Sequence, residues 1–254
     1  MRTPLRCQHE SSICVNEITK FVKRDATIST YVFYTGVLEL RLAEYDHPIT
    51  AHTTNPFVYE FWQHAVEDPE QLYGIVTHPK FKFDGPGSFE RMQRLWPHRE
   101  GALRAALFYT LNRCSDSGYV SSGALEPAGF NAHAHSRLRT VSFPENFELI
   151  LDDNLKVMEQ LEGPSESEYT LAHLGHFSHN FFEYGRLRGP EETPVDHRRI
   201  KDFLQRTERK CIMIYKYHPE LCSFYGQFNL RCVDQHGPPA DPTSEYEEAI
   251  VTNF

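Results

Sequence analysis

YVFYTGVLELRLAEY, residues 31–45, joins a short aromatic and β-branched run to an amphipathic stretch through a single glycine. Residues 31–34 read as a buried strand, Gly36 as a tight turn, and residues 37–45 as a helix. A strand, a tight turn and a helix form the opening unit of a doubly wound sheet, whose turn lets the backbone approach a nucleotide-like ligand. We therefore predict an α/β fold built on a Rossmann-like sheet.

The same alternation of strand and helix recurs on both sides of a long central segment. A second strand at 48–53 is followed by Asn55-Pro56 and a helix at 57–65. After Pro144 the pattern predicts strands at 147–151, 169–172, 211–215, 228–233 and 247–254, with helices at 154–162, 197–207 and 218–224. Residues 1–64 and 147–254 are expected to form one core, and residues 65–146 an inserted, mainly helical subdomain.

The least ordinary segment is FYTLNRCSDSGYVSSGALEPAGFN, residues 108–131. Residues 102–111 carry apolar side chains all round and suit a buried helix, whereas the glycines and serines that follow cannot sustain one. A backbone of this composition can approach a ligand closely, with Arg113 at the mouth of the loop as a charged donor. The alternative is an ordered surface loop in which Arg113 pairs with a neighbouring acid.

Composition limits the classes of function. The 254 residues, of which 40% are hydrophobic, can bury one substantial core. The cysteines form no C-x-x-C pair and no apolar run is long enough to span a bilayer, so we expect an intracellular site of synthesis and no membrane insertion. The net charge of −9 opposes binding to DNA, but residues 80–139 hold nine Lys or Arg against five Asp or Glu.

The segment LNRCSDSGYVSSGALEPAGFNAHAHSRL resembles the L-N-R-x-S-F-S-G region, with its following R-L, of phage-type members of the Dam-like (D12 class) DNA N6-adenine methyltransferases. Those enzymes use S-adenosylmethionine and carry this region in a target-recognition subdomain. The resemblance extends in order along nearly the whole chain, to the closing EEAIVTNF. It implies a methyltransferase-like core and DNA contacts by Asn112, Arg113 and Ser121.

Basic residues interleaved with aromatic residues precede that segment. Lys80, Lys82, Arg91, Arg94 and Arg99 could line a nucleic-acid groove together with these aromatic side chains. The alternative is that the aromatic side chains form the core of the subdomain.

The positions that contact the cofactor in the family differ in this chain. The family's P-L-x-Y-x-G-G-K region is matched by CQHESS, residues 7–12, and its F-x-G-G-G turn by FYTGV, which keeps Phe33 and Gly36. Thr53 stands where the family has the aspartate that binds the ribose hydroxyls, and a hydroxyl lacks the charge that strengthens such a bond. We expect poor affinity for S-adenosylmethionine, with Phe33, Gly36 and Thr53 as its contacts if any binding persists.

The catalytic motif of the family, D-P-P-Y, is degenerate. Its position falls on His173-Leu174-Gly175-His176, or one residue later, ending at Phe177, and neither register supplies an acid or a proline. Asn180-Phe181-Phe182 is a faint alternative for an N-P-P-Y motif. His173, His176 and His179 could instead bind a metal, although spacing by three on a strand does not gather three ligands. They could also fill a vacated pocket or contact another subunit.

These observations predict a catalytically inactive homologue of a DNA adenine methyltransferase that serves as a binding or structural protein. A viral or phage component, or the silent partner of an active enzyme, would fit, with a protein partner or self-assembly and a location in the cytoplasm or the virion. The alternatives are an active methyltransferase with bound S-adenosylmethionine, a DNA-binding module without catalysis, and a structural subunit.

Overall fold

A computed structural model describes residues 3–8, 10–79, 81, 83, 85–152, 157–175, 196–237 and 245–254. Within these residues a seven-stranded sheet has the order β3-β2-β1-β4-β5-β7-β6. The strands are β1 (Ile28–Tyr31), β2 (Ile49–Thr53), β3 (Phe147–Leu151), β4 (Tyr169–Gly175), β5 (Lys210–Lys216), β6 (Asn229–Val233) and β7 (Glu248–Thr252). Strands β1 to β5 are parallel, and β7 runs antiparallel between β5 and β6.

Ten helices are present in the described residues. They are α1 (Val15–Ile18), α2 (Glu39–Ala43), α3 (Pro56–Glu67), α4 (Pro69–Val76), α5 (Pro86–Leu95), α6 (Gly101–Cys114), α7 (Ala132–Thr140), α8 (Val157–Glu162), α9 (His197–Arg206) and α10 (Pro219–Phe224). Short 3-10 turns lie at Trp96–His98 and Pro127–Gly129. The predicted α/β fold with a Rossmann-like, mostly parallel sheet is confirmed.

Side chains alternate between the two faces of the sheet and create two hydrophobic clusters. The first face, with Ile28 and Ile49, packs against α3 and α6. The second face, with Leu174 and Met213, packs against α8 and α9. The strands therefore form the middle of three layers, and ligands can approach only their ends.

Polar residues fix where several helices begin. The Asn55 side chain accepts hydrogen bonds from the amides of Phe57 (2.9 Å) and Val58, and Pro56 stands at the first helical position of α3. Asp68 begins α4 in the same way, Asn131 begins α7, and Asp196 begins α9. An oxygen at this position satisfies amides that no helical carbonyl can reach.

The predicted strand at 31–34 is wrong in position, because β1 covers Ile28–Tyr31. Val32 has φ +68°, a left-handed conformation that turns the chain out of the strand. Phe33 and Tyr34 are nevertheless buried. The Phe33 amide still donates to the His52 carbonyl of β2 (3.0 Å), but both side chains pack under the helices beyond the end of β1.

Two features of the central segment also differ from expectation. The helix predicted at 102–111 continues as α6 through Asn112 and Arg113 to Cys114, and α7 was not predicted. The loop between them is closed by an isolated antiparallel bridge between Ser115 and Leu125. Asn112 and Arg113 therefore lie on a helix and not in the loop.

Helices α4 to α7 lie between β2 and β3 in the sequence and share a core with the sheet. Leu72, Trp96 and Leu138 belong to the same hydrophobic cluster as Ile28 and Ile49. The central segment is therefore packed directly on the sheet, and its division from the core at residues 65 and 146 remains a prediction.

Candidate functional site

The order of the parallel strands locates a crevice at the carboxyl ends of β1 and β4, where the strand order reverses. Doubly wound proteins bind their ligands at this point. The described walls of the crevice are the turn after β1, the turn after β2, the end of β4 at Gly175 and the end of β5 at Lys216. Residues 176–195 lie outside the described residues.

The turn after β1 is bonded to the amino-terminal part of the chain. The Glu10 carboxylate accepts a hydrogen bond from the Thr35 amide (3.0 Å) and a second, short one from the Thr35 hydroxyl. Val32 and Gly36, both with φ +68°, bend the backbone on either side of Thr35. The Thr35 amide in the turn after β1 is therefore already bonded to a side chain of the same chain.

Two carboxyl groups share this region with little compensating charge. Burial raises the pKa of Glu10 to about 7, and the two bonds from Thr35 offset part of the increase. Burial raises the pKa of Glu39 to about 8, and the charge of Glu10 adds to that effect. Both carboxyl groups are therefore partly protonated at neutral pH, which limits the repulsion between them.

The side chains at the expected cofactor positions face the protein interior. The Phe33 ring packs on Trp62 (5.5 Å between ring centroids) and on Phe147 (5.9 Å). A methyl group at Gly36 would lie 3.0 Å from the Phe33 ring, so the glycine is required by contact as well as by its φ angle. Thr53 is buried, and its hydroxyl accepts a hydrogen bond from the Asn55 amide (3.3 Å).

The described part of the catalytic-motif position is buried within β4. His173 is 2% exposed, and its Nε2 lies 3.9 Å from Glu248 Oε1. Burial lowers the pKa of His173 to about 4, although Glu248 opposes the decrease and Lys216 adds to it. His173 is therefore a neutral imidazole at physiological pH. Glu248 also accepts from the Ser11 hydroxyl (2.7 Å) and lies 3.5 Å from the Lys216 ammonium.

The remaining residues of that motif are divided between the core and the undescribed segment. Leu174 is buried in the second hydrophobic cluster, and Gly175 ends β4 with φ +54°. His176, Phe177, His179 and the 180–182 alternative lie outside the described residues. Among the residues that are described, no group of three or more His, Cys, Asp or Glu could hold a metal ion.

Asn112, an expected DNA contact, is fully buried. Its side-chain amide accepts a hydrogen bond from the Arg6 amide (2.9 Å) and donates to the Arg6 carbonyl (2.8 Å). The same amide nitrogen donates to the Gly118 carbonyl, which also accepts from the Tyr34 hydroxyl (3.0 Å). Asn112 therefore ties the amino-terminal segment, the loop after α6 and the turn after β1 together.

Arg113 does not lie at the mouth of a loop, and no acid among the described residues forms an ion pair with it, as the alternative of a surface loop would require. The side chain points inward from α6, is 9% exposed, and donates from Nε to the Gly129 carbonyl (2.8 Å). Burial lowers the pKa of Arg113, and the charges of Arg6 and Arg137 add to the decrease. Ser121 is buried as well, and Lys80 and Lys82 lie outside the described residues.

A basic surface is formed instead by α5 and the turn after it. Arg91, Arg94 and Arg99 are exposed, and none of them forms an ion pair or a side-chain hydrogen bond with another described residue. Glu90 and Glu100 are exposed in the same segment. Of the predicted basic residues that the structure describes, these three arginines are exposed and Arg113 is buried.

A second concave region was not predicted from the sequence. A groove of about 440 Å³ between α8 and the ends of β1 to β3 is lined by Tyr31, His52, Asp152 and Gln160, among others. The His52 ring stacks on Tyr31 (4.7 Å) and its Nδ1 lies 3.0 Å from Asp152 Oδ2, which also accepts from Gln160 Nε2 (2.7 Å). The sequence feature that could have indicated this groove is the aspartate directly after the predicted strand at 147–151.

Neither a model of a known protein family nor a curated protein sequence matches this chain. None of the helices in the described ranges has both the length and the apolar character needed to cross a membrane.

Proposed function

We propose that this chain is a non-catalytic binding protein built on a methyltransferase-like α/β scaffold. The observation that carries the proposal is the bond between Glu10 and the turn after β1. In a doubly wound enzyme this turn offers its amides to the ligand. Here the amide of Thr35 is already bonded to a carboxylate of the same chain.

The contents of the crevice support the same proposal. S-adenosylmethionine carries a carboxylate, which would have to displace Glu10 and then approach Glu39. Thr53 is buried, and its hydroxyl already accepts a hydrogen bond from the Asn55 amide, so a ribose would have little access to it. Each of these contacts would be exchanged for a contact with the ligand, which reduces the net gain in free energy on binding.

The residues that stand at the position of the family's catalytic acid give further support. Methyl transfer to an adenine amine benefits from a hydrogen-bond acceptor close to that amine. His173 is buried beside Glu248 and Lys216, and Leu174 belongs to the core. Neither side chain can meet a base flipped out of a duplex without movement of the strand.

The first test is calorimetric titration of the purified protein with S-adenosylmethionine. We expect no heat of binding up to about 1 mM ligand, equivalent to less than about 4 kcal/mol of binding free energy. The Glu10→Ala variant, which frees the Thr35 amide, should gain weak binding if Glu10 is what closes the turn. Binding by the unmodified protein at micromolar ligand would contradict the proposal and favour the alternative hypothesis of an active methyltransferase.

A DNA-binding module without catalysis is the second candidate, and the accessible arginines of α5 favour it. Phosphate contacts make affinity fall with salt by about 0.9 log unit per log unit of salt for each neutralised phosphate. We expect the combined Arg91→Ala, Arg94→Ala and Arg99→Ala variant to lower this slope by about two to three. Arg198→Ala, at an exposed arginine on α9, is the matched control. Equal slopes in all three proteins would eliminate this surface as the DNA site.

The expected protein partner or self-assembly, and the location in the cytoplasm or virion, remain predictions. Light scattering of the purified protein tests the assembly directly. A mass that stays at 29.5 kDa at every concentration, together with failure to bind any partner, would count against a structural role.

A further inference from the structure

A group of hydrogen-bond donors is buried where α6 packs against the segment containing α7. Tyr109 and Arg113 come from α6, and His135 and Arg137 come from α7. The ring centroids of Tyr109 and His135 are 6.2 Å apart, and Phe130 packs on both rings. We call these four side chains the α6–α7 donor cluster.

Most donors of the cluster have no acceptor within the described chain. Tyr109 is 0% exposed and its hydroxyl forms no hydrogen bond with any described residue. The buried Nε of Arg137 and the buried Nε2 of His135 also form no hydrogen bond with any described residue. Arg113 uses only its Nε, on the Gly129 carbonyl. Native proteins rarely leave so many buried polar atoms without partners at one place.

The charge of the cluster is positive and uncompensated among the described residues. Burial is the main reason that the pKa of Arg113 is lowered, and Arg137 lowers it further. Burial and the charge of Arg113 lower the pKa of His135. The nearby carboxylates are engaged elsewhere, because Glu126 pairs with Arg6 (3.2 Å) and Glu70 pairs with Arg139 (2.7 Å).

We propose that a small oxyanion of the phosphate class binds at the α6–α7 donor cluster, held by Arg113, Arg137 and Tyr109. Guanidinium groups match the oxygens of phosphate with paired, charge-assisted hydrogen bonds, and the phenol adds a third donor. His135 and Arg137 are partly exposed and give the ion access from solvent. Because Arg113 and Tyr109 are buried, the site suits free phosphate or the terminal phosphate of a small molecule and excludes the backbone of a duplex.

The test measures binding of inorganic phosphate to the full chain by calorimetry, with sodium chloride at matched ionic strength as the reference. We expect saturable binding to the unmodified protein and at least tenfold weaker binding to Arg137→Ala. Arg139→Ala is the matched control, because this arginine lies on the same helix but is exposed and paired with Glu70. It should bind phosphate as the unmodified protein does.

Tyr109→Phe provides a second, independent variant. Removing the hydroxyl should weaken phosphate binding severalfold and raise the melting temperature measured without phosphate, because a buried group without a partner is eliminated. A nucleoside monophosphate added in place of phosphate distinguishes the two sources: binding at similar strength indicates a terminal phosphate, and loss of binding indicates the free ion. No phosphate binding by the unmodified protein, or equal losses in Arg137→Ala and Arg139→Ala, would overturn the proposal.

Discussion

At the scale of single residues, the direction of a side chain decides its role, and Asn112 and Arg113 illustrate the point. They are adjacent on the last turn of α6, yet Asn112 bonds to the amino-terminal segment and Arg113 to the Gly129 carbonyl. Both point into the protein. The DNA contacts expected of both residues came from the resemblance of this segment, which does not specify the direction in which a side chain leaves its helix.

Replacing Asn112 should therefore destabilise the fold. Asn112→Ala removes the partners of the Arg6 amide and the Arg6 carbonyl, and one of the two donors to the Gly118 carbonyl, in one step. We expect a loss of about 2–4 kcal/mol in the free energy of unfolding, measured by urea denaturation. Asn131→Ala removes two bonds at the start of α7, one accepted from the Ala134 amide and one donated to the Ala128 carbonyl. Because Asn131 is exposed and water can replace these bonds, the change should cost only about 1 kcal/mol. Equal costs would show that Asn112 does not hold the three segments together.

At the scale of elements, the sequence predicts those whose local signals agree with their packing. The strand predicted at 147–151 is β3, and the helix predicted after Asn55-Pro56 is α3, because its cap and apolar face indicate the same boundaries. The helix α7, AHAHSRLRT, was missed because it buries only Ala134 and Leu138. A face this narrow gives no periodic signal.

The predicted position of the first strand was wrong for a different physical reason. Residues 31–34 are apolar because they are buried, but Val32 leaves the extended conformation directly after Tyr31. A β-branched residue with positive φ is strained in isolation, so no local preference predicts it. The turn after β1 depends on contacts made at a distance, including the bond from Glu10. The strand pattern indicated the turn that follows β1, whereas the contact of Glu10 with this turn was not foreseen.

At the scale of the whole molecule, buried titratable groups link the crevice to the stability of the fold. Glu10, Glu39 and His173 all lie near the carboxyl ends of the strands, and burial shifts each of their pKa values toward the neutral form. Burial thus favours the neutral form of three titratable groups in the region that a doubly wound enzyme would use for its ligand. This arrangement predicts a specific dependence of stability on pH.

The two carboxyl groups have pKa values of about 7 and about 8 in the folded state, above the ordinary value of 4.5. The folded state therefore binds more protons than the unfolded state above pH 4.5. The stability gained from this difference is complete below pH 4.5 and is lost as the pH rises through 7 to 8. His173, with a folded pKa of about 4 against 6.5, acts in the opposite direction and costs stability as the pH falls below 6.5.

Between about pH 6.5 and 8.5 the two carboxyl groups lose most of their protons in the folded state, so their contribution to the free energy of unfolding should fall by roughly 2–3 kcal/mol. Urea denaturation at a series of pH values measures this decrease. The combined Glu10→Gln and Glu39→Gln variant should show a flat profile in this interval, because an amide keeps the acceptor for Thr35 and does not titrate. Glu166→Gln, at an exposed carboxyl on the loop before β4, is the matched control and should leave the decrease intact. An unchanged decrease in the double variant would mean that the buried pair does not couple the crevice to folding.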